Sequence, residues 1–185
     1  MLTPCGRRRV INLPSVLLTV SGSARPDSAN VRLLRALPTL FPERVIQHST
    51  VPERLPLFTE PAQAQPTPAV VAWRTQVRMA QGVVFCTPAY LHNLPALLKN
   101  ALEWLTAGGE LAGKPCLALT LTPHAPRGER AMRALVWSLQ ALDARVVAEL
   151  PLYRDEVQLT EAGIAGEDAR AMLREAVGLL GIATA

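Results

Sequence analysis

The sequence predicts a single α/β domain in which a parallel sheet lies between two layers of helices. Three observations predict it: five short apolar runs without alternation, helical spacing between them, and Ser, Gly, Pro and Asn at the junctions. Uninterrupted apolar runs fit strands covered on both faces, and parallel neighbours need crossover helices that are right-handed.

The first strand is residues 16–20, Val16 to Val20, stopped by Ser21, Gly22 and Ser23. Helical spacing follows over 30–37 and ends at Pro38; a second strand is expected around 44–48. A Pro-rich connection, 52–68, leads to a helix with Val70, Trp73 and Val77 on one face. The third strand is 82–87 with its helix over 95–105, and the fourth is 115–120 with a helix over 129–142. The fifth strand, 145–150, precedes a last helix near 166–180. The long connection at 52–68 is expected to be functional or mobile. Neither an internal repeat nor a domain boundary is visible.

A chain of 185 residues supports one well-buried core, and 49% hydrophobic with 18% charged residues is ordinary globular composition. The net charge of +4 does not read as a nucleic-acid footprint, because the basic residues are scattered apart from Arg7, Arg8 and Arg9. Only Lys99 and Lys114 among the 19 basic residues are lysine, a bias attributed to base composition. Cys5, Cys86 and Cys116 cannot all pair, and two lie in strand-like runs, so a reducing cytoplasm is expected. The beginning imitates a signal peptide, but Pro14 interrupts the apolar run, which leads directly into the first strand. Residues 1–14 are therefore expected to be a flexible tail before a domain at 15–185. No stretch approaches the ~20 apolar residues of a membrane span.

In such open sheets ligands bind beyond the carboxyl ends of the strands, where strand order reverses. The loops there are 21–30, 87–95 and 121–128. The first offers Ser23, Arg25, Ser28 and Asn30 beside a helix amino terminus, which is phosphate chemistry: free N–H groups, a favourable dipole and a guanidinium. Ser28 and Asn30 could equally cap the helix. Two other phosphate motifs fail. Gly108 to Lys114 has the glycines and lysine of a nucleotide P-loop, but Pro115 replaces the hydroxyl residue and a strand follows instead of preceding. No G-x-G-x-x-G follows the first strand. A receiver domain would need an aspartate after the third strand, where Thr87 and Pro88 stand.

The ordered set Ser23-Ala24-Arg25 with Ser28 and Asn30, then Leu55 to Phe58, Gly82 to Tyr90, Leu94-Pro95, Leu98 to Trp104 and Gly113-Lys114-Pro115 resembles the NADPH-dependent FMN reductase family. The resemblance runs from about residue 16 to 150. It implies a three-layer flavodoxin-like fold with a five-stranded parallel sheet in order 2-1-3-4-5. It also implies bound FMN, NAD(P)H as reductant, and two-electron, ping-pong reduction of quinones, flavins or similar small acceptors. Carried over by position, Ser23, Arg25, Ser28, Ala29 and Asn30 hold the FMN phosphate. Pro88, Ala89, Tyr90 and Leu91 run along the isoalloxazine ring, and the 122–128 segment, with Thr122 and His124, borders its other side. The chain departs from the family at Ala89, Leu91, Ala96 and Pro123-His124, all but Ala96 around the ring. The flavin carries the redox chemistry, so no catalytic side chain is assigned.

His92 and His124 sit on ligand loops, where a histidine is either a contact or simply solvated. With His48 and the cysteines they lack zinc-ligand spacing, so no metal is expected. Tyr90 either stacks on a ring or packs at the strand end. The 95–105 helix has two adjacent apolar stripes, and the 129–142 helix repeats the pattern, so a homodimer or dimer of dimers is expected. The alternatives are a broad single-chain core for that surface, and for the function a flavodoxin-type electron carrier or a flavin-free binding module.

Overall fold

The computed structural model describes residues 16–161 and 163–181. The tail expected at 1–14, with Cys5, lies outside them.

Five strands form one parallel sheet in the order β2-β1-β3-β4-β5. They are β1 (Val16–Ser21), β2 (Val45–Ser49), β3 (Gly82–Thr87), β4 (Pro115–Thr122) and β5 (Arg145–Tyr153). The helices are α1 (Ala29–Ala36), α2 (Pro68–Met79), α3 (Ala96–Glu103), α4 (Glu129–Gln140) and α5 (Glu167–Gly178). The chain first moves outward from β1 to the edge at β2, then returns past β1 to β3. That reversal puts the switch point between β1 and β3.

The period-2 geometry of strands divides the core in two. Val83 and Phe85 of β3, with Leu18, Val20, Cys116 and Ala118, meet Trp73, Val77, Leu98 and Leu135 from α2, α3 and α4. Val84 and Cys86, with Leu17, Leu117 and Leu119, meet Leu33, Leu34, Leu173 and Val177 from α1 and α5. Central strands are buried except at the first residues of β1 and β4, whereas the edge strands β2 and β5 are partly exposed along their length.

Two features of the connecting segments differ from the sequence expectation. The 52–68 connection contains two short 3-10 turns, Pro52–Arg54 and Pro61–Ala64, and packs on α3. The Trp104 indole donates to the Pro56 carbonyl at 2.8 Å and meets the Phe58 ring edge-on, with centroids 5.3 Å apart. Asn100 accepts from the Phe58 N–H at 2.7 Å and donates to the Pro56 carbonyl at 3.0 Å. The second apolar stripe of α3 is thus covered by this chain's own connection. The other difference is a hairpin, β6 (Gln158–Thr160) against β7 (Gly163–Ala165), that seals the α1/α5 side with Ile164. Three-residue strands are too short to show a period.

Candidate functional site

At the end of β1, Gly22 crosses closely over β3 and donates its N–H to the Cys86 carbonyl at 2.8 Å. A Cβ there would stand 2.6 Å from Thr87 Oγ1 and 3.2 Å from Leu98 Cδ2, so the crossing requires glycine. The loop is then folded by its own hydroxyls. Ser21 Oγ accepts from the Ser23 N–H at 3.0 Å, and Ser23 Oγ accepts from the Arg25 N–H at 3.3 Å. Ser28 Oγ accepts from the Val31 N–H at 3.2 Å and caps α1. A hydroxyl accepts through its lone pairs and still has one proton to donate, so the cap leaves Ser28 able to bind an anion.

Asn30 is buried and both ends of its amide are engaged. Nδ2 donates to the Leu121 carbonyl at 3.4 Å, and Oδ1 accepts from the Cys86 thiol at 3.1 Å. It ties the amino end of α1 to the tips of β3 and β4. Burial pushes the Cys86 thiol far above its ordinary pKa, which keeps it a neutral donor to Asn30. Arg25, by contrast, extends into solvent beside Asp27, their charges 3.5 Å apart and more than two thirds exposed. Such a pair contributes little to stability, so the guanidinium is available to a ligand.

The loop after β3 carries Pro88, buried Ala89 and then a two-residue turn in which Tyr90 and Asn93 exchange backbone hydrogen bonds of 3.1 and 2.9 Å. Leu91 and His92 occupy its centre at φ 49° and 59°. Neither residue has glycine's freedom there, and left-handed backbone costs an ordinary residue about 1–2 kcal/mol. Such strain clusters at ligand-contacting loops. Leu91 is 98% exposed at the tip and Tyr90 54% exposed beside it.

The loop after β4 is held by Thr122, whose hydroxyl donates to the Arg127 carbonyl at 2.6 Å. His124 Nδ1 lies 3.0 Å from the Ala125 carbonyl. A carbonyl only accepts, so Nδ1 carries the proton. β5 runs further than its apolar pattern suggests, to Tyr153, and the Arg154 N–H donates to the Thr122 carbonyl at 2.9 Å.

These three loops meet at the carboxyl end of the sheet and enclose two adjoining clefts. The first, about 190 Å³, is lined by Ser23, Arg25, Ser28, Ala29, Asn30, Pro88, Ala89, Tyr90 and Thr122, with Leu121, Pro123, Arg127 and Arg154. The second, about 680 Å³, shares Ala89 and Arg127 and adds Leu91, His92, His124 and the 126–130 segment. All eleven residues that the sequence singled out for cofactor binding therefore line one or the other. Arg127 and Arg154 were not singled out: Arg154 follows the strand end that the apolar pattern placed too early, and Arg127 lay unnamed within the 122–128 segment. Among the described residues no three His, Cys, Asp or Glu side chains gather to hold a metal ion.

The first cleft is lined by three guanidiniums, several hydroxyls and no carboxylate. Its floor is the start of α1, whose leading N–H groups have no partners within the helix. That donor set suits a phosphate monoester, and the apolar Pro88, Ala89 and Tyr90 beside it suit a flat ring.

Residues 16–156 match the family model described as NADPH-dependent FMN reductase. The quinone reductase of Escherichia coli (strain K12) is 36% identical over 137 residues, covering 71% of this chain and 72% of that protein. The NAD(P)H-dependent FMN reductase of Pseudomonas aeruginosa is 31% identical over 149 residues, covering 79% and 78%. In structure the chain is similar to the flavoenzyme NAD(P)H:(acceptor) oxidoreductase FerB of Paracoccus denitrificans. The TM-score is 0.73 at 18% identity, covering 90% of this chain and 96% of that one.

Proposed function

Since the chain belongs to the NADPH-dependent FMN reductase family, we propose that its carboxyl-end cleft holds FMN with the phosphate on loop 21–30 and the ring along loop 87–91. It is an NAD(P)H-dependent oxidoreductase of the flavodoxin-like fold, acting on small-molecule acceptors of the quinone and flavin kind. The observation that carries the arrangement is the carboxylate-free, arginine-flanked cleft at the switch point.

In this reading the phosphate is held by Ser23 and Ser28 hydroxyls, the Arg25 guanidinium and the N–H groups of Ala29 and Asn30. Asn30 acts mainly by fixing those N–H groups to β3 and β4, since its own amide is committed. Arg154 faces the same cleft and adds positive charge. Pro88, Ala89, Tyr90 and Leu91 form an apolar wall for the ring, and Thr122 and His124 border its other side. Bound FMN supplies the two-electron transfer between nicotinamide and acceptor, so the protein's part is position, charge and exclusion of water. No side chain is assigned as acid or base.

The buried, unpaired Cys86 and Cys116 support a cytoplasmic location, where thiols stay reduced. A homodimer is supported by Trp137, 64% exposed on the outer face of α4 beside α3.

The test is direct. The purified chain mixed with FMN is expected to show a bound-flavin visible spectrum and FMN-dependent NAD(P)H oxidation with a quinone. A protein that retains no FMN and oxidises no NAD(P)H would sink this reading. Flavin binding with fast reduction of a protein partner and slow reduction of quinone would favour an electron carrier.

A further inference from the structure

We propose that Arg127 and Arg130 form a phosphate subsite for the reductant, which binds the 2′-phosphate of NADPH and makes this chain prefer NADPH to NADH. The proposal rests on the flavin reductase reading above and names the half of the site that this reading leaves open. Both arginines line the cavity of about 680 Å³ that also carries Leu91 and His124, the residues placed beside the ring, so the two cations share the cavity a reductant must enter to reach it.

The charge in this cavity is uncommitted. Arg74, Arg78, Arg170 and Arg174 each face a glutamate within 4.0 Å. Among the described residues no carboxylate or hydrogen-bond acceptor engages the Arg127 or Arg130 guanidinium. Arg127 is nevertheless fixed at its backbone, donating its N–H to the His124 carbonyl at 3.0 Å and accepting from Thr122 Oγ1 at 2.6 Å. Gly128 follows at φ 107°, and a Cβ there would lie 2.9 Å from Thr122 Cγ2, so the turn is closely packed. Arg130 is in the first turn of α4, on the same cavity.

A phosphate monoester carries about −1.5 to −2 charge at pH 7 and three terminal oxygens. Two guanidinium forks match that group, and NADH has only a neutral hydroxyl to offer there. In the flavin reading the flavin's own phosphate sits at the Ser23, Arg25 and Ser28 end; Arg127 stands between the two clefts and Arg130 lines only the second, which points to a second phosphate source there. Glu129 lines the same cavity and offsets one of the two charges. Removing both arginines therefore reverses the local sign, which makes the expected effect large.

Calorimetry on the full chain, with and without FMN, would compare 2′,5′-ADP with 5′-AMP. At moderate salt 2′,5′-ADP is expected to bind at least tenfold tighter, roughly 1.4 kcal/mol, and to weaken as salt rises. In Arg130→Gln and in the Arg127→Gln/Arg130→Gln double variant that difference falls toward one, and the NADPH-to-NADH ratio of kcat/KM falls with it. Both side chains are exposed, so the fold should survive, which a thermal melt checks. Equal binding of the two nucleotides by the unaltered protein, an unchanged ratio in the variants, or equal competition by inorganic phosphate would each overturn the subsite. A protein that binds FMN and uses both reductants equally refutes the subsite alone. A protein that binds no FMN refutes the flavin reading, and the flavin-free titration still decides the subsite.

Discussion

The Ser28 hydroxyl accepts from the Val31 N–H, leaving its proton free, while the Arg25 guanidinium pairs, among the described residues, with exposed Asp27 alone. The two residues therefore separate stability from ligand binding. Ser28→Ala should cost about 1 kcal/mol of stability through the lost cap and weaken FMN by about tenfold through one lost hydrogen bond. Arg25→Ala should weaken FMN by roughly 10- to 100-fold, the worth of charge-assisted bonds, and leave the melting temperature of the apoprotein almost unchanged. FMN fluorescence titration and apoprotein melts read the two effects. If Arg25→Ala lowers stability as much as Ser28→Ala does, the division of roles is wrong. The residue types were legible from their place after the first strand. That Asn30 serves as a strut was not, because its partners, Cys86 and Leu121, are 56 and 91 positions away.

Among the elements, β2 is the edge next to the switch point, and its His48 hydrogen-bonds Thr19 Oγ1 of β1 at 3.0 Å. Burial first, and Arg35 second, hold the imidazole below its usual pKa of 6.5. The unfolded chain takes up a proton near that value while the folded chain resists. This contribution to stability is therefore complete above about pH 6.5 and declines as pH falls toward the lower folded value. Thermal melts from about pH 7.5 down to about pH 5.5 should show a falling midpoint, with a shallower fall in His48→Gln. Equal slopes in both proteins would rule His48 out as the source. At this scale five strands and five helices were readable because the strands are short uninterrupted apolar runs and the helices carry a helical apolar period. The 158–165 hairpin was not, since three-residue strands leave no period to read.

At the scale of the whole molecule, α3's two apolar stripes pointed to a partner chain, and the fold covers one of them with Pro56 and Phe58. What remains for a second copy is the groove beside exposed Trp137, with half-buried Leu142 and the Lys99–Glu103 ion pair along it. Light scattering after size exclusion should find a dimer at micromolar concentration and a monomer for Trp137→Glu, because a charge in an apolar interface is expensive to bury. A monomeric unaltered protein would count against the dimer. The sequence by itself determined the five-strand alternation, the phosphate-loop residues and the family, because periodicity, chain order and local motifs are properties of neighbours along the chain. Only the tertiary structure decided that Arg154 and Arg127 face the cleft with Arg25, that the 52–68 connection shields α3, and that Asn30 ties three elements together. Those facts depend on where strand ends converge in space, and a parallel sheet with a switch point brings together loops far apart along the chain.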